Sequence, residues 1–271
     1  MATRTKVWDQ TVKTGVRAKL LQKRGVAFQS ALFMPADTAY CVEEAKNSGM
    51  IDDETELILV DKDSTTLSLG YDRCVDALDH NDEYIQLRHG KVEDALKELR
   101  LDDVAVHDDC HCLEFLYLDT CGELSPTMVD ALKTAVENKV ITEKTTIAFT
   151  FSTAQRMWDT SYAKHFVRNR LITSFNTKKE PGLWTAKFED DEFCHPFSEN
   201  KKRNKACNII AQTIKHATKR AFSRIAFGCA YKEVGNSFPM MTAIILGKGY
   251  KDETENPFMD IGYNEWIEKH T

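Results

Sequence analysis

No apolar run in the 271-residue chain approaches the length needed to cross a bilayer, and the N-terminus lacks the apolar core of a signal peptide. The expectation is a cytoplasmic protein without a membrane span. The eight cysteines lack the dense spacing of a small secreted scaffold, which reads as reduced thiols. A glycine-rich phosphate loop, a Walker-type lysine motif, a nucleophile elbow and a zinc-protease helix are also missing. Those absences argue against nucleotide hydrolysis and serine hydrolysis. There is neither an internal repeat nor a low-complexity tract, and the length suits one large core or one domain with an insertion.

Charge is present in plenty but unevenly. The net charge is -6, yet between Glu43 and Glu123 acidic residues outnumber basic ones by roughly three to one. The first 24 residues reverse this, with Lys13 and Arg17 among seven basic side chains against a single Asp9. A second basic region runs through Arg156, Lys164, Arg168 and Arg170, and on through Lys201, Lys202 and Arg203. Such an asymmetry suggests a polyanion partner on one side of the molecule. The plainer alternative is a set of solvated helix faces balancing an acidic half.

The pattern of apolar runs is that of alternating strands and helices. Strands are expected at Val26–Met34, Glu56–Val60, Tyr84–Leu87, Leu113–Leu118 and Thr145–Phe151. Between them, Asp37 stands where an N-cap would open a helix that stops at Asn47-Ser48-Gly49. Further helices are expected over Leu69–Leu78, from Val92 to Leu99, and after Ser125-Pro126. This alternation predicts an α/β fold with a mostly parallel, Rossmann-like sheet. A basic helical lead-in occupies residues 1–25, the core 26–151, an inserted segment 152–203, and the completion of the sheet 204–271. The last part holds a helix near Asn204–Ala221 and an antiparallel hairpin, Ser223–Tyr231 with Pro239–Leu246, turning at Gly235-Asn236.

Leu57–Asp63 carries the most information. A short apolar run that stops on a carboxylate is how a buried parallel strand opens into a ligand crevice, and Asp61 there can accept from the two hydroxyls of a ribose. The competing reading is that Asp61 caps a turn or starts the next helix.

An acidic end to strand two, an acidic end to strand four at Asp119, and the terminal hairpin together resemble class I S-adenosylmethionine-dependent methyltransferases. The resemblance covers roughly Val26–Phe151 and Asn204–Gly247. It implies S-adenosylmethionine as cofactor, with Asp61 on its ribose and Asp63 as a close second. It sets Arg88-His89-Gly90-Lys91 beside the adenine, and Asp119-Thr120-Cys121-Gly122 toward the methyl group and acceptor. The implied crevice is lined by Phe33, Met34, Ala36, Asp37, Asp61, Lys62, Asp63, His89, Gly90, Lys91, Asp119 and Thr120. One departure stands out: the family's first loop carries closely spaced glycines, whereas this chain has Met34-Pro35-Ala36-Asp37-Thr38-Ala39. A Cβ at each position keeps backbone away from a ligand and disfavours positive φ, and Pro35 removes one amide donor.

Catalysis falls to Asp119 and Cys121. A cysteine just past strand four can add to a pyrimidine ring and activate its C5, with Asp119 assisting, although the proline usual beside that cysteine is absent; the alternative is a buried thiol. His107-Asp108-Asp109-Cys110-His111-Cys112 has donors but no matched second pair, so no metal is expected. Trp158, Tyr162 and Phe166, interleaved with bases, fit stacking on unpaired nucleobases or a core stripe. The nucleic-acid contacts are assigned to Lys13, Arg17, Arg156, Arg168, Arg170, Lys201, Lys202 and Arg203, with DNA and RNA both open. The reading is a methyltransferase acting on nucleic acid. Its rival is a catalytically inactive scaffold of the same type that binds nucleic acid or protein.

Overall fold

The apolar runs form the strands that their composition predicts, with helices between them. The computed structural model describes residues 27–104, 112–120, 122, 124–152, 210, 213, 214, 217, 218, 222–232 and 239–247. The strands are β1 (Ser30–Phe33), β2 (Glu56–Asp61), β3 (Ile85–His89), β4 (Phe115–Asp119), β5 (Thr146–Ser152), β6 (Phe222–Lys232) and β7 (Pro239–Gly247). The helices are α1 (Tyr40–Asn47), α2 (Ser64–Asp72), α3 (Val92–Glu98) and α4 (Pro126–Glu137). All seven strands join one sheet in the order β3-β2-β1-β4-β5-β7-β6. β1 to β5 are mutually parallel, and β7 runs antiparallel to both β5 and β6. This is a Rossmann-like sheet of the methyltransferase type, closed by an antiparallel hairpin.

Each face of the sheet is buried, which explains why the central strands read as unbroken apolar runs instead of alternating ones. On one face Leu32, Ile58, Val60, Leu116, Leu118, Ile147 and Phe149 pack with Leu96 of α3 and Met128 and Leu132 of α4. Ile210, Ile214 and Ala217 reach the same cluster at helical spacing. On the other face Ala31, Phe33, Leu57, Leu59, Phe115 and Tyr117 pack with Val42 and Ala45 of α1 and Leu67 of α2. An aromatic seam runs up this second face. Phe28 stacks on Phe115 at 5.2 Å, Phe33 tilts against Phe115 at 5.6 Å, and Phe33 meets Tyr117 edge-on at 6.3 Å. Each such buried ring or branched side chain contributes about 1.5–3 kcal/mol by leaving water.

Several element starts differ from the sequence expectation. β1 begins at Ser30, because the Phe28 amide donates to Met50 O at 2.8 Å and the Gln29 amide to Glu114 Oε2 at 2.8 Å, off the strand ladder. The helix expected over Leu69–Leu78 instead starts at Ser64 and ends at Asp72, followed by a π-type turn at Arg73–Ala77. Asp63 fixes that start: its carboxylate accepts from the Thr66 amide at 2.8 Å. Conversely, Asp37 does not cap α1. The cap position is Ala39, in the left-handed region at φ 48° and without a side-chain bond, so the helix begins two residues later than Asp37 would allow. Ser125 caps α4 by accepting from the Met128 amide at 3.0 Å, with Pro126 at the first helical position as expected.

The segment expected as an insertion lies outside the described residues, apart from Ser152 at the end of β5. So do the basic lead-in, the aromatic–basic stretch from Arg156 to Arg170, and the hairpin turn at Gly235-Asn236. No helix among the described residues is long and apolar enough to cross a membrane.

Candidate functional site

Strand register brings the candidate acids to one rim. Leu32 of β1 lies opposite Ile58 of β2 and Leu116 of β4, and Asp61 lies opposite His89 of β3. Asp119 in turn lies opposite Thr150, and Thr150 opposite Thr242. Asp61 and Asp119 are each three residues past the partners of Leu32, so His89, Asp61, Asp119, Thr150 and Thr242 form one level row at the carboxyl end of the sheet. β1 stops at Phe33, two residues short of that row, level with Leu59 and Tyr117. The outcome is a notch. Asp61 and Asp119 flank it, about 10 Å apart across one missing strand position. Phe33, Leu59 and Tyr117, all 0–1% exposed, close its floor.

Alternation along the strands also settles which face these groups take. Leu57, Leu59, Phe115 and Tyr117 all belong to the α1/α2 side, so Asp61 and Asp119, two further on, project to that side as well. The sequence-predicted set therefore converges here: Met34, Ala36 and Asp37 from the loop after β1, Asp61, Lys62 and Asp63 after β2, His89, Gly90 and Lys91 after β3, and Asp119 with Thr120 after β4.

The rim is tied together by short hydrogen bonds. Asp61 Oδ1 accepts from the Asp63 amide at 2.9 Å, so one carboxylate oxygen orders the turn into α2. The Gly90 amide donates to Asp61 O at 2.9 Å, and His89 Nε2 donates to Lys62 O at 3.1 Å, since a carbonyl can only accept. The ends of β2 and β3 are thus locked at one height. Asp63, exposed, has its carboxyl held below the usual carboxylate range by the Thr66 amide and hydroxyl. Its charge serves the α2 N-terminus, which favours an anion. The competing reading of this segment describes part of it: Asp61 Oδ1 steadies the turn and Asp63 caps the helix, while Asp61 Oδ2 makes no hydrogen bond to the described residues.

The loop after β1 takes an unexpected path for a glycine-free segment. Ala36 and Ala39 both adopt left-handed backbone, at φ 53° and 48°. A side chain there costs roughly 1–2 kcal/mol relative to ordinary helical backbone, so the loop holds a glycine-like shape without glycine. Neighbours fix it: Cys41 Sγ donates to Met34 O at 3.5 Å, Pro35 is buried, and the Val42 and Glu43 amides donate to Ala39 O at 2.9 and 3.0 Å. Asp37 stands exposed at its crest. Neither the left-handed turns nor the contacts that hold them had any signal in the sequence. The Asp63 cap did have one, an Asp three residues before Thr66.

Gly90, at φ +145°, adopts backbone that favours glycine, and a Cβ built there would meet nothing within 4 Å. No described residue crowds the position that a side chain would take there. Two buried thiols, Cys41 and Cys74, lie behind the first loop; burial first, then the neighbouring Cys41, pushes Cys74 up to about 12, which leaves it unreactive. Cys121 lies outside the described residues, as do Lys13, Arg17, Arg156, Arg168, Arg170, Lys201, Lys202 and Arg203. Among the described residues, no group of three or more His, Cys, Asp or Glu side chains could hold a metal ion.

No family model and no curated protein sequence matches the chain. Among solved structures, a precorrin-6y C5,15-methyltransferase of Geobacter metallireducens is 11% identical over 90% of this chain and 93% of its own, at TM-score 0.41. A candidate rRNA methylase of Clostridium thermocellum is 10% identical over 90% and 97%, at TM-score 0.44. The O-methyltransferase TomG of Streptomyces achromogenes, in complex with S-adenosylmethionine, is 10% identical over 88% and 80%, at TM-score 0.43. The strand order and the antiparallel last pair carry the fold assignment.

Proposed function

We propose that the chain is an S-adenosylmethionine-dependent methyltransferase acting on a nucleic acid. The observation that carries the reading is Asp61: an acid at the end of β2, on the notch left by the short β1, with Oδ2 available to a ribose hydroxyl while Oδ1 is steadied by the Asp63 amide. The surroundings suit an adenosine. The apolar floor of Phe33, Leu59 and Tyr117 offers a dry surface beneath it, and Gly90, which carries no Cβ, leaves room for a flat ring beside β3. When bound, this cofactor supplies a methyl group on a positively charged sulfur. The protein's own part is to bind, orient and exclude water: Asp61 fixes the ribose, the Met34–Ala39 loop bounds the methionine end, and Asp119 with Thr120 faces the acceptor across the notch. Rate enhancement would come mainly from holding the two reacting groups in line.

The nucleic-acid acceptor rests on the sequence, on the basic lead-in and on the basic stretches containing Arg156, Arg168, Arg170 and Lys201–Arg203. The test is calorimetric titration with S-adenosylmethionine and S-adenosylhomocysteine, followed by transfer of a labelled methyl group to single- and double-stranded RNA and DNA. Micromolar binding and labelled nucleic acid support the proposal; absence of binding at millimolar cofactor defeats it. The inactive scaffold is the second reading, favoured by the exposed Asp37 in a loop without glycine. Salt-sensitive retention of nucleic acid with no cofactor binding would establish it instead.

A further inference from the structure

We infer that Gly70 of α2 is a positioning residue that sets the height of the first loop over the notch, doing from behind the loop what loop glycines would otherwise do from within it. This rests on the cofactor reading given above. The contact is direct. A Cβ built on Gly70 would stand 2.6 Å from Ala36 O, and 3.0 and 3.1 Å from Cγ and Cβ of Pro35. Real side-chain carbons do not approach a backbone oxygen that closely, and the oxygen belongs to the left-handed residue at the turn of the loop. Pro35 and Gly70 are both buried, so the loop rests on the helix at this point with no space between.

The consequence follows from the loop's composition. Residues 34–39 all carry a Cβ, so the segment cannot gain room for a ligand by thinning its own backbone. Room is gained instead by letting the Pro35–Ala36 peptide sink against α2, where glycine removes the obstructing atom. With any other residue at 70, that peptide must rise by roughly the 0.5–1 Å needed to restore an ordinary contact, carrying Met34 to Asp37 with it. Intrinsic preference acts the other way, because alanine favours a helix interior over glycine. A glycine inside this helix, against helix propensity, coincides with a contact that leaves no space for a Cβ.

The experiment compares Gly70→Ala with the unaltered chain by calorimetry with S-adenosylmethionine and S-adenosylhomocysteine, alongside circular dichroism and thermal melting. Gly70→Ala should melt cooperatively with unchanged secondary structure, yet bind both ligands about tenfold or more weakly. Adding Ala36→Gly to it lets the 36 carbonyl swing away from the new methyl, and should recover roughly threefold or more of the loss. A merely structural effect would not be rescued at the binding step. Should Gly70→Ala not give a cooperative melt, Pro35→Ala removes the loop-side half of the same contact and lets the loop reseat, and should change the affinity for both ligands by roughly threefold or more. Equal affinity of the unaltered chain and Gly70→Ala, no rescue by Ala36→Gly, or, where Pro35→Ala is the variant used, affinity equal to that of the unaltered chain, would overturn the inference while leaving the cofactor reading intact. If the unaltered chain binds neither ligand, the cofactor reading fails and this inference fails with it.

Discussion

Replacing Asp61 with alanine removes the rim carboxylate to which the proposed function assigns the ribose diol. The magnitude follows from its bonding. Oδ1 already accepts from the Asp63 amide at 2.9 Å, so its remaining lone pair and Oδ2 are what a ligand can use. A hydrogen bond to a charged acceptor contributes about 1.5–3 kcal/mol, and water fills part of the gap when the carboxylate is gone. A loss of about 3 kcal/mol, or about 100-fold in Kd, is expected for Asp61→Ala. Asp61→Asn keeps an oxygen for the Asp63 amide and one acceptor for the diol while removing the charge; about tenfold weaker binding is expected. The assay is calorimetry with S-adenosylhomocysteine, with thermal melting of each variant without ligand. The alanine variant also loses the turn into α2, so its melting temperature falls slightly, whereas Asp61→Asn should melt as the unaltered chain. Asparagine therefore separates binding from folding. If Asp61→Asn and Asp61→Ala both bind as tightly as the original, the ribose assignment is wrong.

Asp63→Ala should lower the melting temperature by exposing the α2 N-terminus, whereas Asp63→Asn retains the cap. Its carboxyl is held below the ordinary value of 3.8, so its contribution is present above that pH and is lost as pH falls through the folded value, visible in melts between acid and neutral buffer. His80 is the opposite case. It is 2% exposed, donates from Nε2 to Thr55 O at 2.9 Å, and burial holds it neutral below its usual 6.5. The unfolded chain binds the extra proton first, so the urea midpoint should drop as pH falls below about 6.5, and His80→Gln should flatten that dependence. Gly247→Ala would drive a Cβ into the backbone carbonyl of Glu143 at the end of β7, and should cost about 3 kcal/mol in urea denaturation. Thr150→Val strands the Thr242 hydroxyl that now bonds it at 2.8 Å, at about 1–3 kcal/mol, while the Thr150→Val/Thr242→Val pair should be nearly neutral by the same measurement.

The strands were legible because their burial on both faces leaves a chemical trace: Leu57–Val60 and Phe115–Leu118 are apolar at every position, and both stop on aspartate. Legible too was the rim, since parallel strands put their carboxyl ends on one edge of a sheet, although their order along it comes from the structure. The starts of α1 and α2 were not. Ser64-Thr65-Thr66 lacks an apolar period, so the helix registered only where Leu69 began one, although its true origin is a carboxylate–amide bond from Asp63. Ala39 gives no hint of left-handed backbone, because nothing in an alanine encodes it. The contact at Gly70 is likewise between segments more than 30 residues apart in sequence, and pairing of that kind leaves no local mark.

Backbone strain at Ala36 and Ala39 tempts a functional reading, since strained turns gather at binding sites. The contacts that hold these turns argue for a narrower conclusion. The Cys41 thiol, buried Pro35 and the missing side chain at Gly70 all lie on the protein's own side of the loop, and would hold the same path with or without a ligand. Roughly 1–2 kcal/mol per left-handed alanine is small beside the burial of the aromatic seam and of Val42 and Leu67 beneath. The strain therefore reports how the loop is built, and the acids report what it faces. Of those acids, Asp63 has a structural post and Asp37 stands in solvent, while Asp61 combines one oxygen held by the Asp63 amide with a second that makes no hydrogen bond to the described residues. A role in the fold accounts for Oδ1, which orders the turn into α2, and leaves Oδ2 unused among the described residues. That asymmetry between Asp61 and its neighbours favours a ligand site over an empty frame.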